Sequence, residues 1–465
     1  MMGQRKFNMK THHNLCLDDL VSPSDLYRKI NEAVDFSFIY DLAKESYSHT
    51  GQPSLDPMVF FKVELVGFLE GIHEDRALER RIKDSLAIRW FLGYDLDEAL
   101  PVHSTISRTR KERISKTLYQ AVFDHILGLC IRHQLVKGHH QSIDSTLLKA
   151  NASLDSLEVL QPKVLAHYEK ALGANHEESE RKDSEPISSK PDRRDPEAKA
   201  AKKPGFPGAA YYKASVSVDE AFGMITHAQV DDGNRNDSEL LKPIAQQTKS
   251  RLQKNRLVFK TLAADKGFYS AENLNWLHQA SLTAYITPRR LTTLQGDFAR
   301  DKFHYDAPKD QFICPEGKKL YFRQLDDQLP HLRRYRAEEK DCAACMSKSV
   351  CTKGKARTLQ FSIYENLIAE ALERSKTQRA KELSRLRQIQ AEGAFAHLKE
   401  VLKFKKLYCL GLKNAQKRFI IACAVINLKK LAGFLPCLHQ LFRLLRHILQ
   451  TFKEQRGLNP IYLAF

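Results

Sequence analysis

The spacing of apolar residues divides the chain into regions of different character. Up to about residue 135, apolar positions recur at helical spacing, as in PSLDPMVFFKVELVGFLEGI, where Pro57 marks the start of a helix. Two shorter helices are predicted next, at 74–83 and 85–92. We therefore predict a helical N-terminal domain over residues 1–135.

A basic helix follows within this region, in the run PVHSTISRTRKERI. Ser104 is its predicted N-cap, because a serine hydroxyl accepts a hydrogen bond from a free amide at a helix start. Several short helices that end in a basic one are typical of helix-turn-helix DNA-binding domains, although small helical bundles without that role show the same pattern. On the first interpretation, Arg108, Arg110 and Lys111 contact DNA.

From residue 139 onward, the pattern predicts strands as well as helices. A strand surrounds Asp144, a hairpin follows with its turn at 220–223, and a helix leads to a second strand that ends at Asp265. A helix capped by Ser270 and a further strand, LTAYITP, complete the series. This order predicts an α/β core with a mixed sheet over residues 136–299.

Two stretches depart from these patterns, and a helical stretch ends the chain. Residues 173–208 are polar, charged and rich in proline, which predicts a loop or disordered segment. Residues 300–358 hold a cysteine cluster and few regular patterns, which indicates a cysteine-rich insertion. Residues 359–465 are again helical and basic, and we expect these C-terminal helices to complete the core.

The net charge indicates which kind of partner the protein binds. Lysine and arginine number 74 against 56 aspartates and glutamates, a surplus of +18 that favours polyanions such as nucleic acid. The longest apolar run, 419–426, is too short to span a bilayer, and the N-terminal residues lack the apolar core of a signal peptide. We therefore expect a cytoplasmic protein with no membrane partner.

Three acidic residues stand out by their context. Asp144 lies in a strand, Asp265 ends another strand, and Glu392 lies on a predicted helix, in QAEGAFAHLKE. Carboxylates at strand ends can meet at one edge of a sheet together with one carboxylate from a helix. Two divalent ions about 4 Å apart need such oxygen ligands to clamp the attacking and leaving oxygens of a phosphodiester.

These residues lie in motifs that resemble a known family along nearly the whole chain. The motifs are GQPSLDPMVFFKVELVGFLEGI, HSTISRTR, SIDSTLLKANAS, RRDPEAKA, GNRNDSELL, AADKGFYS, AEGAFAHLKE and ACAVINLKKLAG. In this order they resemble insertion-sequence transposases with a DDE triad, of the IS-five and IS-eleven-eighty-two type. The family's usual arginine-glycine pair is replaced here by CLGL, in which Leu410 precedes Gly411.

The resemblance implies an RNase H-like core whose triad corresponds to Asp144, Asp265 and Glu392. It implies metal-assisted hydrolysis and strand transfer with Mg²⁺ or Mn²⁺, acting on terminal inverted repeats and target DNA. Arg387 and Lys399 match basic positions beside the family's glutamate and are candidate phosphate contacts, with a solvated helix face as the alternative interpretation. It also implies a homodimer or higher oligomer on DNA, associated with the nucleoid.

Two alternative functions stay open on the sequence. One is a transposase-derived DNA-binding protein that no longer cleaves DNA. The intact triad motifs favour an active transposase over this alternative. The other is a related nuclease without strand transfer, which differs from a transposase here only by family resemblance.

Four of the nine cysteines lie in one stretch of the chain. Cys314, Cys342, Cys345 and Cys351 have the spacing Cys-x27-Cys-x2-Cys-x5-Cys, and four thiolates suit tetrahedral zinc. A redox pair in CAAC is the alternative, although the strand–helix context of such pairs is missing. We predict a structural zinc ion that stabilises a segment too small to bury its own core.

Overall fold

The structure is a computed structural model that describes residues 15–47, 54–151, 195, 197–201, 209–287, 296–325 and 331–455, without the side chains of 199–201, 301 and 436–455. The chain forms two compact units. The first comprises Met1–Lys137, Ser145–Asn234 and Glu392–Phe465, and the second comprises Gly138–Asp144 and Arg235–Ala391.

The elements of the described residues are numbered here in chain order. The helices are α1 (Leu17–Leu20), α2 (Leu26–Ala33), α3 (Phe38–Ala43), α4 (Pro57–Leu69), α5 (Asp75–Asp84), α6 (Leu86–Leu92), α7 (His103–Arg108), α8 (Lys116–Arg132), α9 (Asp237–Lys254), α10 (Ala271–Gln279), α11 (Glu339–Ala343), α12 (Lys348–Cys351), α13 (Glu365–Lys376), α14 (Gln378–Arg387), α15 (Gly393–Ala396) and α16 (Leu412–Gln455). The strands are β1 (His140–Lys149), β2 (Lys199–Ala201), β3 (Ala209–Asp219), β4 (Ile225–Asp232), β5 (Thr261–Ala264), β6 (Thr283–Ile286), β7 (His304–Asp306), β8 (Gln311–Ile313), β9 (Lys319–Leu325), β10 (Leu332–Ala337) and β11 (Thr358–Ser362).

The N-terminal part of the first unit is helical, as the sequence predicts. Asp56 caps α4 by accepting hydrogen bonds from the amides of Met58 and Val59, and Pro57 occupies the first helical turn. Gly93 ends α6 in the left-handed region, at φ 81°, where a glycine has no steric cost. The predicted cap at Ser104 is wrong, because α7 already begins at the preceding residue and its N-cap is Val102.

The strands of the first unit include the predicted hairpin. β3 and β4 pair antiparallel around the turn after Asp219, and β1 is the neighbour of β3 on its other side. β2 also pairs antiparallel with β3. The expectation of no regular structure over 173–208 is therefore wrong at 199–201, and most of that segment lies outside the described residues.

The long C-terminal helix α16 contributes to the core of the first unit. It packs against α2, α4 and α8 from the N-terminal part and against β4. Side chains of α16 also complete the backbone hydrogen bonding of β4, because Gln416 accepts from the Val230 amide at 2.6 Å and Asn427 accepts from the Ile225 amide at 2.8 Å. The units therefore do not follow the predicted boundaries at 135, 299 and 358, since the N-terminal helices share a core with the C-terminal helix.

The sheet is mixed, and β1 takes part in both units. In the second unit, β1 pairs in parallel with β5, and β5 pairs in parallel with β6. Ser270 caps α10 by accepting a hydrogen bond from the Asn273 amide, as predicted. The strand predicted around Asp144 and the strand predicted to end at Asp265 are confirmed as β1 and β5, and β1 runs past Asp144 to Lys149.

The second unit also contains an antiparallel sheet in the stretch predicted to hold few regular elements. Its order is β11-β10-β9-β8-β7, in which each strand neighbours the one next to it in the chain. Phe312, Leu320, Tyr335 and Leu359 form its small apolar core. β9 exposes the apolar side chains of Tyr321, Phe322 and Leu325, and β7 and β8 are only three residues long, so apolar periodicity does not reveal this sheet.

No helix in the part of the chain that the structure describes is long and apolar enough to cross a membrane.

A buried ion-pair network lies inside the first unit. Glu64, with no exposed surface on its side chain, pairs with Arg110 at 2.6 Å and with Arg418 at 2.8 Å. Arg110 pairs in addition with Asp75, at 2.8 Å. Burial by itself would raise the pKa of Glu64, but the two guanidinium groups outweigh burial and lower the pKa of the carboxyl group. The network thus links α4 and α5 to the segment after α7 and to α16.

We predict that Glu64→Gln lowers the free energy of unfolding at pH 7 by about 3–5 kcal/mol, because it leaves two buried guanidinium groups without their anion. The pKa of Glu64 is depressed in the folded protein, so its contribution is present above the unfolded value and is lost as pH falls through the folded value. Denaturation midpoints at neutral and acid pH measure both effects, and the difference between variant and parent should shrink in acid.

The matched control is Glu373→Gln, which breaks a solvent-exposed pair with Lys376 and should change the midpoint little. Equal effects of the two substitutions at pH 7 would contradict the assignment of the Glu64 network as a stabilising core.

Candidate acidic site at the strand ends

Asp144 and Asp265 lie side by side where the parallel pairing of β1 and β5 ends. The β1–β5 register ends with Ile143 opposite Ala264, and the aspartates are the next residue of each chain segment, Asp144 within β1 and Asp265 directly after β5. Neighbouring strands are about 4.8 Å apart, so this register brings the two carboxylate-bearing residues to the same edge of the sheet. Asp265 is exposed to solvent, and Asp144 is half-buried. Two of the three predicted catalytic acids are therefore brought together within the second unit.

Arg387 supplies a positive charge at this edge. Its Nη1 donates a hydrogen bond to Oδ2 of Asp144 at 2.8 Å, and the two side chains are only 10% and 14% exposed. The family resemblance predicts a contact from Arg387 to a DNA phosphate. In the structure its guanidinium is instead engaged with a carboxylate from the candidate triad, and it lies at the last residue of α14.

A further carboxylate, which the sequence analysis did not assign to the site, lies against the loop after β5. A Cβ atom on Gly267 would lie 2.8 Å from Oδ2 of Asp237, so only glycine allows this approach without a shift. Asp237 is the first residue of α9 and belongs to the second unit, as do Asp144 and Asp265. Asp237 lies in the motif GNRNDSELL, and this motif is the sequence feature that could have assigned it to the site.

Glu392 lies on irregular helical backbone. α14 continues directly into a π-helical turn, Gln388–Glu392, which is followed by α15 and a second π-helical turn, His397–Val401. Such turns widen a helix by one residue and occur frequently at functional sites. The Glu392 side chain is exposed, and the residue belongs to the first unit, whereas Asp144 and Asp265 belong to the second.

Lys399 and the basic residues of the N-terminal region have different surroundings. Lys399 donates a hydrogen bond through Nζ to Oγ1 of Thr146 at 2.7 Å, so its ammonium group lies beside the part of β1 that follows Asp144. Arg108 and Lys111 are exposed and accessible to a ligand. The prediction that Arg110 contacts DNA is contradicted, because its guanidinium is held in the buried ion-pair network by Glu64 and Asp75.

The four clustered cysteines meet around one small cavity in the second unit. Cys314, Cys342, Cys345 and Cys351 all line this cavity of about 20 Å³, and none forms a disulfide. Two of the sulfur atoms accept backbone hydrogen bonds, Cys314 from the Lys318 amide at 3.2 Å and Cys342 from the Arg357 amide at 3.5 Å. Burial raises the pKa of the Cys351 thiol, and the neighbouring thiols act in the same direction against Arg357.

Within the residues that the structure describes, no group of three or more His, Cys, Asp or Glu side chains is arranged to hold a metal ion. The sheet edge at Asp144 and Asp265, which we call the acidic edge, therefore carries two neighbouring aspartates, and Arg387 pairs with the first of them. The four cysteines line one cavity but are not arranged as the ligands of a metal ion.

Comparison with protein families matches two separate stretches of the chain. The model described as Transposase domain (DUF772) matches residues 15–112, and the model described as Transposase DDE domain matches residues 313–432. Together they support a DDE transposase, without distinguishing the insertion-sequence type that the motifs resemble. Glu392 lies within the second matched stretch, and Asp144 and Asp265 lie between the two.

No curated protein is significantly similar to the chain. A piggyBac transposase synaptic complex with hairpin DNA matches at 10% identity over 94% of this chain and 82% of that chain, with a TM-score of 0.33. A Mos1 transposase paired-end complex with the left transposon end matches at 9% identity over 51% of this chain and 60% of that chain, with a TM-score of 0.16.

We predict that Arg387→Ala destabilises the protein mainly through Asp144. The substitution leaves a mostly buried carboxylate without its counter-ion, and the double variant with Asp144→Ala should recover part of the loss. A double-mutant cycle on the free energy of unfolding should give a coupling of roughly 1–3 kcal/mol.

Arg385→Ala is the control for this cycle, because Arg385 is an exposed arginine on the same helix. Additive effects of Arg387→Ala and Asp144→Ala would show that the ion pair is not a stabilising interaction.

Proposed function

We propose that the protein is a DNA transposase that hydrolyses and joins DNA strands by metal-assisted phosphoryl transfer, with Asp144, Asp265 and Glu392 as the metal-binding triad. The observation that carries the proposal is the β1–β5 register, which makes Asp144 and Asp265 neighbours at one sheet edge. The match to a DDE transposase domain over 313–432, which includes Glu392, supports the third position. Glu392 is assigned to the triad from its place in the sequence, five residues after Arg387.

The fold proposed for this site is an RNase H-like core. The element order of strand, hairpin, helix, strand, helix and strand, with β1, β5 and β6 in parallel, supports it. The cysteine-rich stretch 300–358 would then be an insertion between the last strand of this core and the helix that leads to Glu392.

The donor atoms at the acidic edge suit Mg²⁺ or Mn²⁺. Carboxylate oxygens are hard ligands, and one exposed and one half-buried aspartate in adjacent register offer them from two strands. When bound, such ions lower the pKa of water and stabilise the charge on the attacking and leaving oxygens. Asp144, Asp265 and Glu392 would hold them. Arg387 balances the charge of Asp144 when this edge carries no cation, because two adjacent carboxylates repel each other.

The substrate proposed is double-stranded DNA, namely the terminal inverted repeats of an insertion sequence and its target. The surplus of +18 charges favours binding to such a polyanion, and exposed Arg108 and Lys111 are candidate phosphate contacts, with Lys399 a further one near β1. We also propose that it acts as a homodimer or higher oligomer on DNA, in the cytoplasm at the nucleoid.

We predict that Asp144→Asn, Asp265→Asn and Glu392→Gln each lower the rate of DNA cleavage about a thousandfold or more, because each carboxylate helps fix the metal ions. DNA affinity should change little, since it comes from many spread contacts. Double variants should be little worse than single ones, because the triad acts as a unit. Cleavage of element-end DNA in Mg²⁺ and a binding assay in EDTA measure the two effects.

Asp124→Asn and Glu400→Gln are the controls, because both residues are exposed and lie outside the proposed triad. Asp237 is unsuitable as a control, since it lies against the loop that follows Asp265. A triad variant that still cleaves at nearly the parental rate would remove that residue from the proposal. Cleavage without any joining of the freed 3′ end to target DNA would favour the nuclease, and DNA binding without cleavage by the parent protein would favour a DNA-binding derivative.

We further propose that Cys314, Cys342, Cys345 and Cys351 bind a structural zinc ion. The shared cavity and the two backbone N–H···S hydrogen bonds support it, because such bonds stabilise thiolates. The zinc would stabilise the small sheet of β7 to β11, whose apolar core is limited to a few side chains.

We predict about one zinc ion per chain in the purified protein, by metal analysis. Cys342→Ser with Cys345→Ser should remove the zinc and lower the thermal midpoint, because the metal's binding energy contributes to folding. Cys16→Ser, at an exposed cysteine outside the cluster, should change neither quantity. Alkylation of all four thiols in the folded protein, with no zinc found, would contradict the proposal.

A further inference from the structure

A second feature of the acidic edge is an open cavity on the side away from β1. It has a volume of about 550 Å³ and lies where β5 and β6 end, between Ala264, Tyr285 and Thr287 on the strands and the side chains of α14. We call it the strand-end cavity. Its volume is within the range of about 300–1,000 Å³ that is usual for ligand sites, which suits a single nucleotide unit rather than a duplex.

The lining of the strand-end cavity is cationic. Lys381, Arg385 and Arg387 contribute to it, and none of the described residues that line it is an aspartate or glutamate. Arg387 is engaged with Asp144, whereas Lys381 and Arg385 are exposed and form no ion pair with a described carboxylate. Because they are four residues apart, they lie on the same face of α14. A cavity with this lining favours an anionic ligand.

The rest of the lining suits the other parts of a nucleotide. Ala263, Ala264 and Ile286 provide an apolar floor, and Tyr285 is a half-buried aromatic side chain beside it. Aromatic side chains stack on nucleobases with little regard to sequence. Thr287 and Ser384 add hydroxyl groups that can hydrogen-bond to a sugar or phosphate.

The position of the cavity relates it to the proposed chemistry. Ala264, which lines it, directly precedes Asp265, and Arg387, which lines it, holds Asp144. A DNA strand whose reacting phosphate lies at these aspartates would have a neighbouring nucleotide within reach of the cavity.

We propose that the strand-end cavity binds one unpaired nucleotide of the DNA strand that enters the acidic site, with Lys381 and Arg385 on its phosphate and Tyr285 on its base. The inference rests on the proposed function for the nature of the substrate. It adds a binding site for a single-stranded DNA end, to which the triad does not contribute.

The test uses the full-length protein in EDTA with two DNA probes. One is a blunt duplex, and the other is the same duplex with a short single-stranded tail that carries 2-aminopurine. Lys381→Ala with Arg385→Ala should weaken binding of the tailed duplex about tenfold and that of the blunt duplex less than twofold. The matched control is Lys376→Ala with Arg379→Ala, which removes two charges nearby that are paired with Glu373 and Glu382 and do not line the cavity.

Fluorescence of the 2-aminopurine reports the stacking. It should be quenched on binding to the parent protein and to Tyr285→Phe, and the quenching should be lost in Tyr285→Leu. Equal weakening of both probes by the cavity and control variants, with quenching unchanged in Tyr285→Leu, would overturn the proposal. Stronger binding of a free deoxynucleoside monophosphate than of the tailed duplex would assign the cavity to a small-molecule ligand and overturn it too.

Cleavage assays separate this inference from the proposed function. If Asp265→Asn still cleaves DNA while the cavity variant loses tail binding, the triad fails and the nucleotide site stands. If Asp265→Asn abolishes cleavage while the cavity variant binds both probes as the parent does, the transposase proposal stands and the nucleotide site fails.

Discussion

The parallel pairing of β1 with β5 is the constraint on which the candidate site depends. It places Asp144 and Asp265 next to each other, where two carboxylates repel each other unless positive charge lies nearby. Arg387 provides that charge to Asp144 from the end of α14. Arg387 also lines the strand-end cavity, together with Lys381 and Arg385.

A second electrostatic constraint acts inside the first unit. Glu64 is fully buried between Arg110 and Arg418, which come from distant parts of the chain. A buried carboxylate is tolerated only when its lone pairs are satisfied, so this contact fixes how α4 and α16 approach each other. His73, beside Arg418, has its pKa lowered to about 4 by burial and by that guanidinium, and it is therefore neutral at pH 7. The helical N-terminal part thus depends on the C-terminal helix for its core.

Much of the fold is predictable from local pattern. Pro57, Gly93 and Ser270 mark helix boundaries because proline, glycine and serine act there through their own backbone or hydroxyl chemistry. The β3–β4 hairpin and the strands before Asp144 and Asp265 follow from apolar alternation. Local pattern fails for β7 to β11, because β7 and β8 are only three residues long and β9 exposes apolar side chains such as Phe322 and Leu325.

The sequence by itself determined the secondary structure around the acids, the motifs that resemble a transposase family and the charge that favours DNA. Tertiary structure alone decided the partners of the charged side chains. Arg110 and Arg387 both look like surface cations in the sequence, yet one is buried against Glu64 and the other is held by Asp144. Side-chain pairing across hundreds of residues depends on which strands and helices become neighbours, and no local periodicity carries that information.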